Sequence, residues 1–303
     1  MKVFLVFPMA DGQTGPAIKH AFEQLGHEII SVDARLQTNK IYETYQEFKS
    51  DLVFCTKTPE VTNQIRNIKQ KFNPIICMWN PDARKSIDNW ASLFPLIKLV
   101  DFHFVVDINL IDDWKKLNPN TFWLPQGLQD EIYNRPKIIT KIDIKKYSCD
   151  VSFCGDRIGS YHKFRDKYLI PIENMKINFK HWTGIYNEEH NKMVSLSKIN
   201  LGCSGSNNAK IRTSVSVRDY KIIGAGGFLL TDSGGGLDKI FPCEGHKKIL
   251  DYYNSPNDLI KKIKFWLPKN EERKKIAERG YEWIHKNATY VHRIKSALDY
   301  MGI

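Results

Sequence analysis

The chain has 303 residues, 42% of them hydrophobic and 26% charged, and carries a formal net charge of +11. That length exceeds a typical single domain and suits two, each with enough apolar residues for its own core. No apolar run nears the roughly 18 residues of a membrane helix. The opening MKVFLVFPMADG is too briefly apolar for a secretion signal, so the expected location is cytoplasmic.

In chain order, Lys2–Pro8 predicts a buried strand, followed by a Gly-containing loop and a helix over Ala17–Leu25. Glu28–Val32 reads as a strand, Glu43–Lys49 as helix, Leu52–Thr56 as strand and Glu60–Lys71 as helix. Pro74–Trp79 and Phe102–Val106 are two more short apolar runs. Such runs separated by helices indicate parallel strands with helical crossovers, the doubly wound α/β pattern. Around Trp123–Pro136 the periodicity fades, and Lys137–Lys146 is mixed and basic. A fresh strand then opens at Cys149–Gly155. This places a domain boundary near 140, with a second α/β domain over 141–287.

That second domain predicts strands near Lys176–Phe179, Ile199–Leu201, Gly227–Thr231 and Lys248–Tyr252. Helices are expected over Tyr161–Tyr168, Val217–Gly224, Pro256–Trp266 and Asn270–Asn287. The last helix, Val291–Met301, lies beyond the final strand signal and is a candidate for crossing back to the first domain. The fold class is α/β, with two Rossmann-like doubly wound domains expected to face across a cleft. The six cysteines include no C-x-x-C pair and read as reduced, buried thiols. Between Lys261 and Lys295, eleven Lys or Arg face four Glu, so +7 of the net charge sits there. That is a solvated helix surface or an anion-attracting one.

The stretch Val215–Asp232, VSVRDYKIIGAGGFLLTD, is chemically the most informative. Arg218 lies near the start of a helix that ends at Gly224, Gly226 and Gly227, before a strand reaching Thr231 and Asp232. A helix start bearing an arginine is an anion site, and glycines let backbone N–H groups approach a ligand. Together with Tyr220, these are candidate donor-binding residues. The loop Gly155, Asp156, Arg157 through Ser160 is a second anion candidate. Ser204, Gly205 and Ser206 form a third loop, at the carboxyl edge where α/β sheets bind ligands. Asp11 and Asp82, after strands of the first domain, are candidate general bases, with Asp107 at a similar strand end; loop capping is the alternative use of each.

The segment from Val215 to about Tyr300 resembles the C-terminal portion of the spore-maturation CgeB-like glycosyltransferases. The matching features are Arg218–Tyr220, Ala225–Gly227, Phe228–Thr231, Phe241, Glu244–Gly245, Ser255–Pro256 and Arg293. CDVSFCG at 149–155 resembles the opening of that family's second domain. Gly26–His27–Glu28 is similar to a turn of GT-B enzymes, and Trp123–Gly127 to their inter-domain connector. The resemblance implies a GT-B hexosyltransferase using a nucleotide sugar, with UDP or GDP as candidate nucleotides, and no metal or other cofactor. It also implies an acidic residue beside Tyr220 to hold the ribose; Lys221 stands there instead, leaving Asp219 or Asp232 to substitute or the nucleotide to be bound in another way.

No H-E-x-x-H, Asp-x-Asp, P-loop, post-strand G-x-G-x-x-G or G-x-S-x-G motif occurs. This disfavours metal-dependent transfer, nucleotide kinases, dehydrogenases and α/β-hydrolases. The acceptor is open: protein, glycan, small molecule or nucleic acid. Alternatives are a sugar-nucleotide epimerase of the same fold, a bilobal binding protein, and a nucleic-acid-directed transferase or binder.

Overall fold

From Val3 to Phe7 every residue of the first strand is at 0% exposure. A strand covered on both faces needs helices above and below it, which parallel crossovers supply. The computed structural model describes residues 1–10, 12–158, 162–204 and 213–303, and contains two sheets of this kind. The first joins β1 (Lys2–Phe7), β2 (Glu28–Asp33), β3 (Leu52–Thr56), β4 (Ile75–Asn80), β5 (Phe102–Val105) and β6 (Thr121–Trp123). Its order is β2-β1-β3-β4-β5-β6, parallel throughout. The second joins β7 (Cys149–Cys154), β8 (Phe179–Trp182), β9 (Ser197–Leu201), β10 (Leu229–Asp232) and β11 (Asp251–Tyr253). Its order is β11-β10-β9-β7-β8, also parallel. Counted from its own first strand, each sheet has the same arrangement, with the order reversing between the first strand and the third.

The chain divides into two compact units, residues 1–125 with 290–303, and 126–289. The sequence reading put the first boundary near 140, whereas the structure joins 126–140 to the second unit. There Leu128 N–H donates to the Ala288 carbonyl at 2.8 Å, Tyr281 Oη donates to Asn134, and Arg135 pairs with Glu278. In the first unit, Ala17, Ile18, Ala21 and Phe22 share one core with Tyr290, Ile294, Ala297 and Leu298 of the last helix, Tyr290–Met301. On the sheet's other face Ile41, Tyr45, Ile65, Ile68 and Trp114 pack together. The second unit buries Phe153, Ile199, Leu230, Ile263 and Trp266.

Several local features depart from the sequence reading: the helix expected over Tyr161–Tyr168 runs from Asp166 to Glu173, and the strand expected from Lys248 begins at Asp251. Strand β6, just ahead of the stretch where periodicity fades, has no counterpart in the sequence reading. The basic stretch contains a helix, Lys141–Tyr147, started by a capping box between Thr140 and Asp143. Strand β8 begins at Phe179, three residues later than expected, because Met175–Ile177 forms a turn ahead of it. Three of the eleven cations of the basic C-terminal stretch are spent inside the fold. Arg273 is buried and donates to the carbonyls of Trp266 and Leu267, Arg279 donates to the Lys248 carbonyl, and Lys262 pairs with Asp251.

Asp107, just after β5, caps the turn Ile108–Leu110 by accepting from Asn109 N–H at 3.0 Å. It is 2% exposed and its Oδ2 has no hydrogen-bond partner. Burial pushes its carboxyl up to about 6, against the lowering effect of the Asn109 and Leu110 amides. The folded chain therefore keeps this proton to higher pH than the unfolded chain does. Stability falls as pH rises from about 4 to about 6 on this account. Asn can cap equally well, so Asp107→Asn should raise unfolding free energy at pH 7.5 by up to about 3 kcal/mol. Urea denaturation should show that gain disappearing at about pH 4.

Candidate functional site

In sheets of this order the crevice opens where the strand order reverses, at the carboxyl ends of the strands. In the second unit that place lies between β7 and β9, and a cavity of about 230 Å³ opens there. The helix Val217–Gly224 starts at this edge, with Ser216 as its cap; Ser216 Oγ accepts from Arg218 N–H at 3.3 Å. The start of the helix therefore meets the cavity, whose wall includes Ser216, Val217, Arg218 and Lys221.

Two arginines bind the strand ends together. Arg218 Nε donates to the Cys154 carbonyl at 2.6 Å, and its Nη1 donates to the Cys203 carbonyl at 3.3 Å. Arg165, only 6% exposed, donates from Nε to the same Cys203 carbonyl at 3.2 Å and from Nη1 to the Asp156 carbonyl. Both guanidinium groups lie over the buried Phe153 ring, at 5.1 and 5.5 Å from its centroid. Gly155 has φ +153°, and a Cβ there would come within 2.5 Å of Arg218 Nη2. Glycine is thus required for the guanidinium to reach Cys154.

Lys221, one helical turn beyond Arg218, places its ammonium 4.3 Å from the Tyr133 ring centroid. Burial and the neighbouring Arg218 lower its pKa to about 8. Burial, then Arg218, lowers Arg165 to about 10. His190, buried in the cavity wall, is lowered to about 3 by burial and then by Lys221 and Arg218, so it is neutral at physiological pH. These groups destabilise one another's charge, a condition that a bound anion relieves.

The predicted donor residues do not all come together. Arg218, Gly155 and Asp156 come together at the cavity. Gly226 and Gly227 do not: they close the opposite end of the helix, where Gly226 has φ +78° and faces Arg135. A Cβ on Gly227 would come within 2.4 Å of Val194 Cγ1, so this turn exists for close packing rather than phosphate contact. Arg157 is likewise diverted, since Asp166 at 3.0 Å and Glu173 hold its guanidinium. Tyr220 is a core ring against Phe241. Thr231 is buried and donates to Asp219 or Asp232, each at 3.2 Å. Asp232 accepts from Ser204 N–H at 3.0 Å, tying the loop after β9 to the end of β10. Asp219 is 0% exposed, facing Thr231 and not the cavity. Gly205, Ser206, Ser160 and Asp11 lie outside the described residues.

Sequence reasoning missed Arg165, Lys221 as a cavity cation, and the imidazoles of His162 and His190. Arg165 stands among Lys163 and Lys167, and only three-dimensional packing distinguishes the inward member. In the first unit a cavity of about 460 Å³ opens at the carboxyl ends of β1, β3 and β4, lined by Thr14, Arg35, Thr56, Lys57, Glu60 and Asp82 among others. Asp82 is ion-paired there with Lys57, whose ammonium also sits 4.8 Å from the Trp90 ring centroid.

Residues 135–299 match the profile of a family described as glycosyl transferase-like. No curated protein matches by sequence. Among solved structures, HepE of Anabaena in complex with UDP and glucose superposes with a TM-score of 0.64 at 10% identity, covering 100% of this chain and 99% of that one. Sucrose-phosphate synthase from Thermosynechococcus elongatus gives 0.68 at 11% identity, covering 100% and 99%. An α-glucosyltransferase in complex with UDP-glucose and DNA containing an abasic site gives 0.63 at 11%, again covering 100% and 99%. At such identities the likeness shows the fold, the Rossmann-like two-domain fold of GT-B enzymes. With more than half its length matched by the profile, the chain belongs to the glycosyl transferase-like family.

Proposed function

We propose that this chain is a CgeB-like hexosyltransferase that binds the diphosphate of a nucleotide sugar at the β7–β9 crevice of its second unit. The observation that carries this reading is the convergence of Arg165, Arg218 and Lys221 with a helix N-terminus on one cavity. When the bond from the sugar's anomeric carbon to phosphate breaks, the electron pair stays on the nucleoside diphosphate. Fixed cations and amide dipoles then stabilise the charge as it develops. In this reading they meet that need without a metal. UDP is the favoured nucleotide, since HepE and the α-glucosyltransferase of the same fold are described with UDP or its glucose conjugate. The acceptor hydroxyl forms the new bond and gives up its proton. Asp82, at the first unit's cavity, is the proposed base once Lys57 releases it.

Isothermal titration with UDP, GDP, ADP and dTDP tests the donor site. One diphosphate should bind, and Arg218→Ala should weaken it about 10- to 100-fold, the worth of a charge-assisted hydrogen bond. Gly227→Ala should instead lower stability by about 1–3 kcal/mol through overpacking and leave affinity unchanged. Binding of none of the four would end the donor-site reading, and equal loss from both variants would overturn the placement of the phosphates.

Affinity should also depend on pH in a defined direction. Free Lys221 loses its proton near pH 8, whereas a bound phosphate holds it on. Binding above that pH must therefore take up a proton, and affinity should fall by up to about tenfold per pH unit. Lys221→Met should bind more weakly at pH 7 and lose most of this dependence between pH 7 and 9. A wild-type affinity that is flat over that range would remove Lys221 from the diphosphate.

A further inference from the structure

We propose that the segment Lys137–Tyr147 is a docking surface for an anionic lipid membrane, a property separate from the donor site and independent of it. Four isoleucines in this short stretch are exposed: Ile138 at 69%, Ile139 at 41%, Ile142 at 77% and Ile144 at 49%. They account for four of the twelve large hydrophobic side chains that stand exposed among the described residues, so the clustering is not the ordinary scatter of surface apolar groups.

The helix Lys141–Tyr147 explains which side is free. Asp143 pairs with Lys192 at 3.0 Å, and the buried Tyr147 donates from Oη to Glu189 at 3.0 Å. These two positions, four apart, hold one face of the helix against the helix Asn187–Ser195. At 3.6 residues per turn, Lys141, Ile142 and Lys145 then lie on the opposite side, flanked by Ile144. Lys146 is spent on Glu189 at 3.0 Å. Lys137, Lys141 and Lys145 have no carboxylate partner among the described residues. The outer surface is therefore isoleucine interleaved with unpaired lysine.

The occupant follows from this chemistry. A protein interface draws on aromatic residues and arginine at its centre and is depleted in lysine, yet the outward helix positions Lys141, Ile142, Ile144 and Lys145 include neither, and Arg135, which lines a cavity with Lys137, Ile138, Glu131 and Glu188, is paired with Glu278. Single-stranded nucleic acid needs aromatic stacking platforms, and duplex binding gives exposed isoleucines nothing to do. An anionic membrane uses both components: aliphatic side chains enter the acyl boundary while lysine stems extend to the headgroups. The helix is short and three lysines are few, so the expected association is weak and reversible.

Co-sedimentation of the full chain with vesicles tests this. The wild type should partition to vesicles of equal parts phosphatidylcholine and phosphatidylglycerol, and not to phosphatidylcholine alone. The double variant Ile138→Ser/Ile142→Ser should lose at least about tenfold of that binding, since each change withdraws a buried aliphatic group. Lys141→Gln/Lys145→Gln should lose a similar amount, about fivefold per lysine. Both pairs are exposed, so unfolding midpoints and nucleotide affinity should not move. Failure of the wild type to bind anionic vesicles overturns the proposal, as does binding that the isoleucine variant leaves unchanged. Dimerisation abolished by the isoleucine variant, without lipid binding, would make this face a contact between copies and also overturn it.

Discussion

The second unit depends on one carbonyl, that of Cys203, which two guanidinium groups share. Where the order of a parallel sheet reverses, the chains leaving neighbouring strands run to opposite faces, and their carboxyl ends are left without a covering element. Here β7 and β9 are those neighbours. Arg218 spans them by donating to Cys154 on one side and Cys203 on the other, and Arg165 reaches Cys203 from the β7–β8 connection. Removing Arg218 would leave the Cys154 carbonyl short of a donor, and removing Arg165 the Asp156 carbonyl, so these residues shape the crevice as well as charge it.

That double duty explains the electrostatics. Two guanidiniums over a single phenyl ring repel each other, and the repulsion is tolerated because carbonyl dipoles and the face of Phe153 lie beneath them. Lys221 adds a third positive group on the next helical turn. The depressed pKa values of Arg165 and Lys221 are two expressions of the same crowding. An acidic side chain at position 221 would have quenched this potential by pairing with Arg218. The lysine leaves it for an incoming anion.

The α/β class, most strands and the helices 217–224, 256–266 and 270–287 were legible because buried parallel strands and amphipathic helices write their periods directly into the sequence. β6 was not, since three residues are too few to carry a period. The helix at Lys141–Tyr147 was hidden because its outward face is half apolar, so the contrast between faces that marks an amphipathic helix is weak. At the site, the cap at Ser216 and the arginine behind it were legible as local features. The glycine turn was misread because sequence says that a helix ends there but not which edge of the sheet that end reaches. Arg157 and Arg165 are indistinguishable by composition. Only the carboxylates of Asp166 and Glu173, brought round by the following helix, neutralise one and leave the other to the crevice.

The same distinction governs the net charge. A count of +7 over Lys261–Lys295 left open a solvated helix surface or an anion-attracting one. Three of those cations, Lys262, Arg273 and Arg279, instead satisfy Asp251 and the ends of backbone elements. Where positive charge is available to a ligand depends on which side chains face a cavity or the solvent, not on their count. The lysines at 137, 141 and 145 are set apart from those of the terminal cluster by the exposed isoleucines between them, and Lys221 by its place in the crevice.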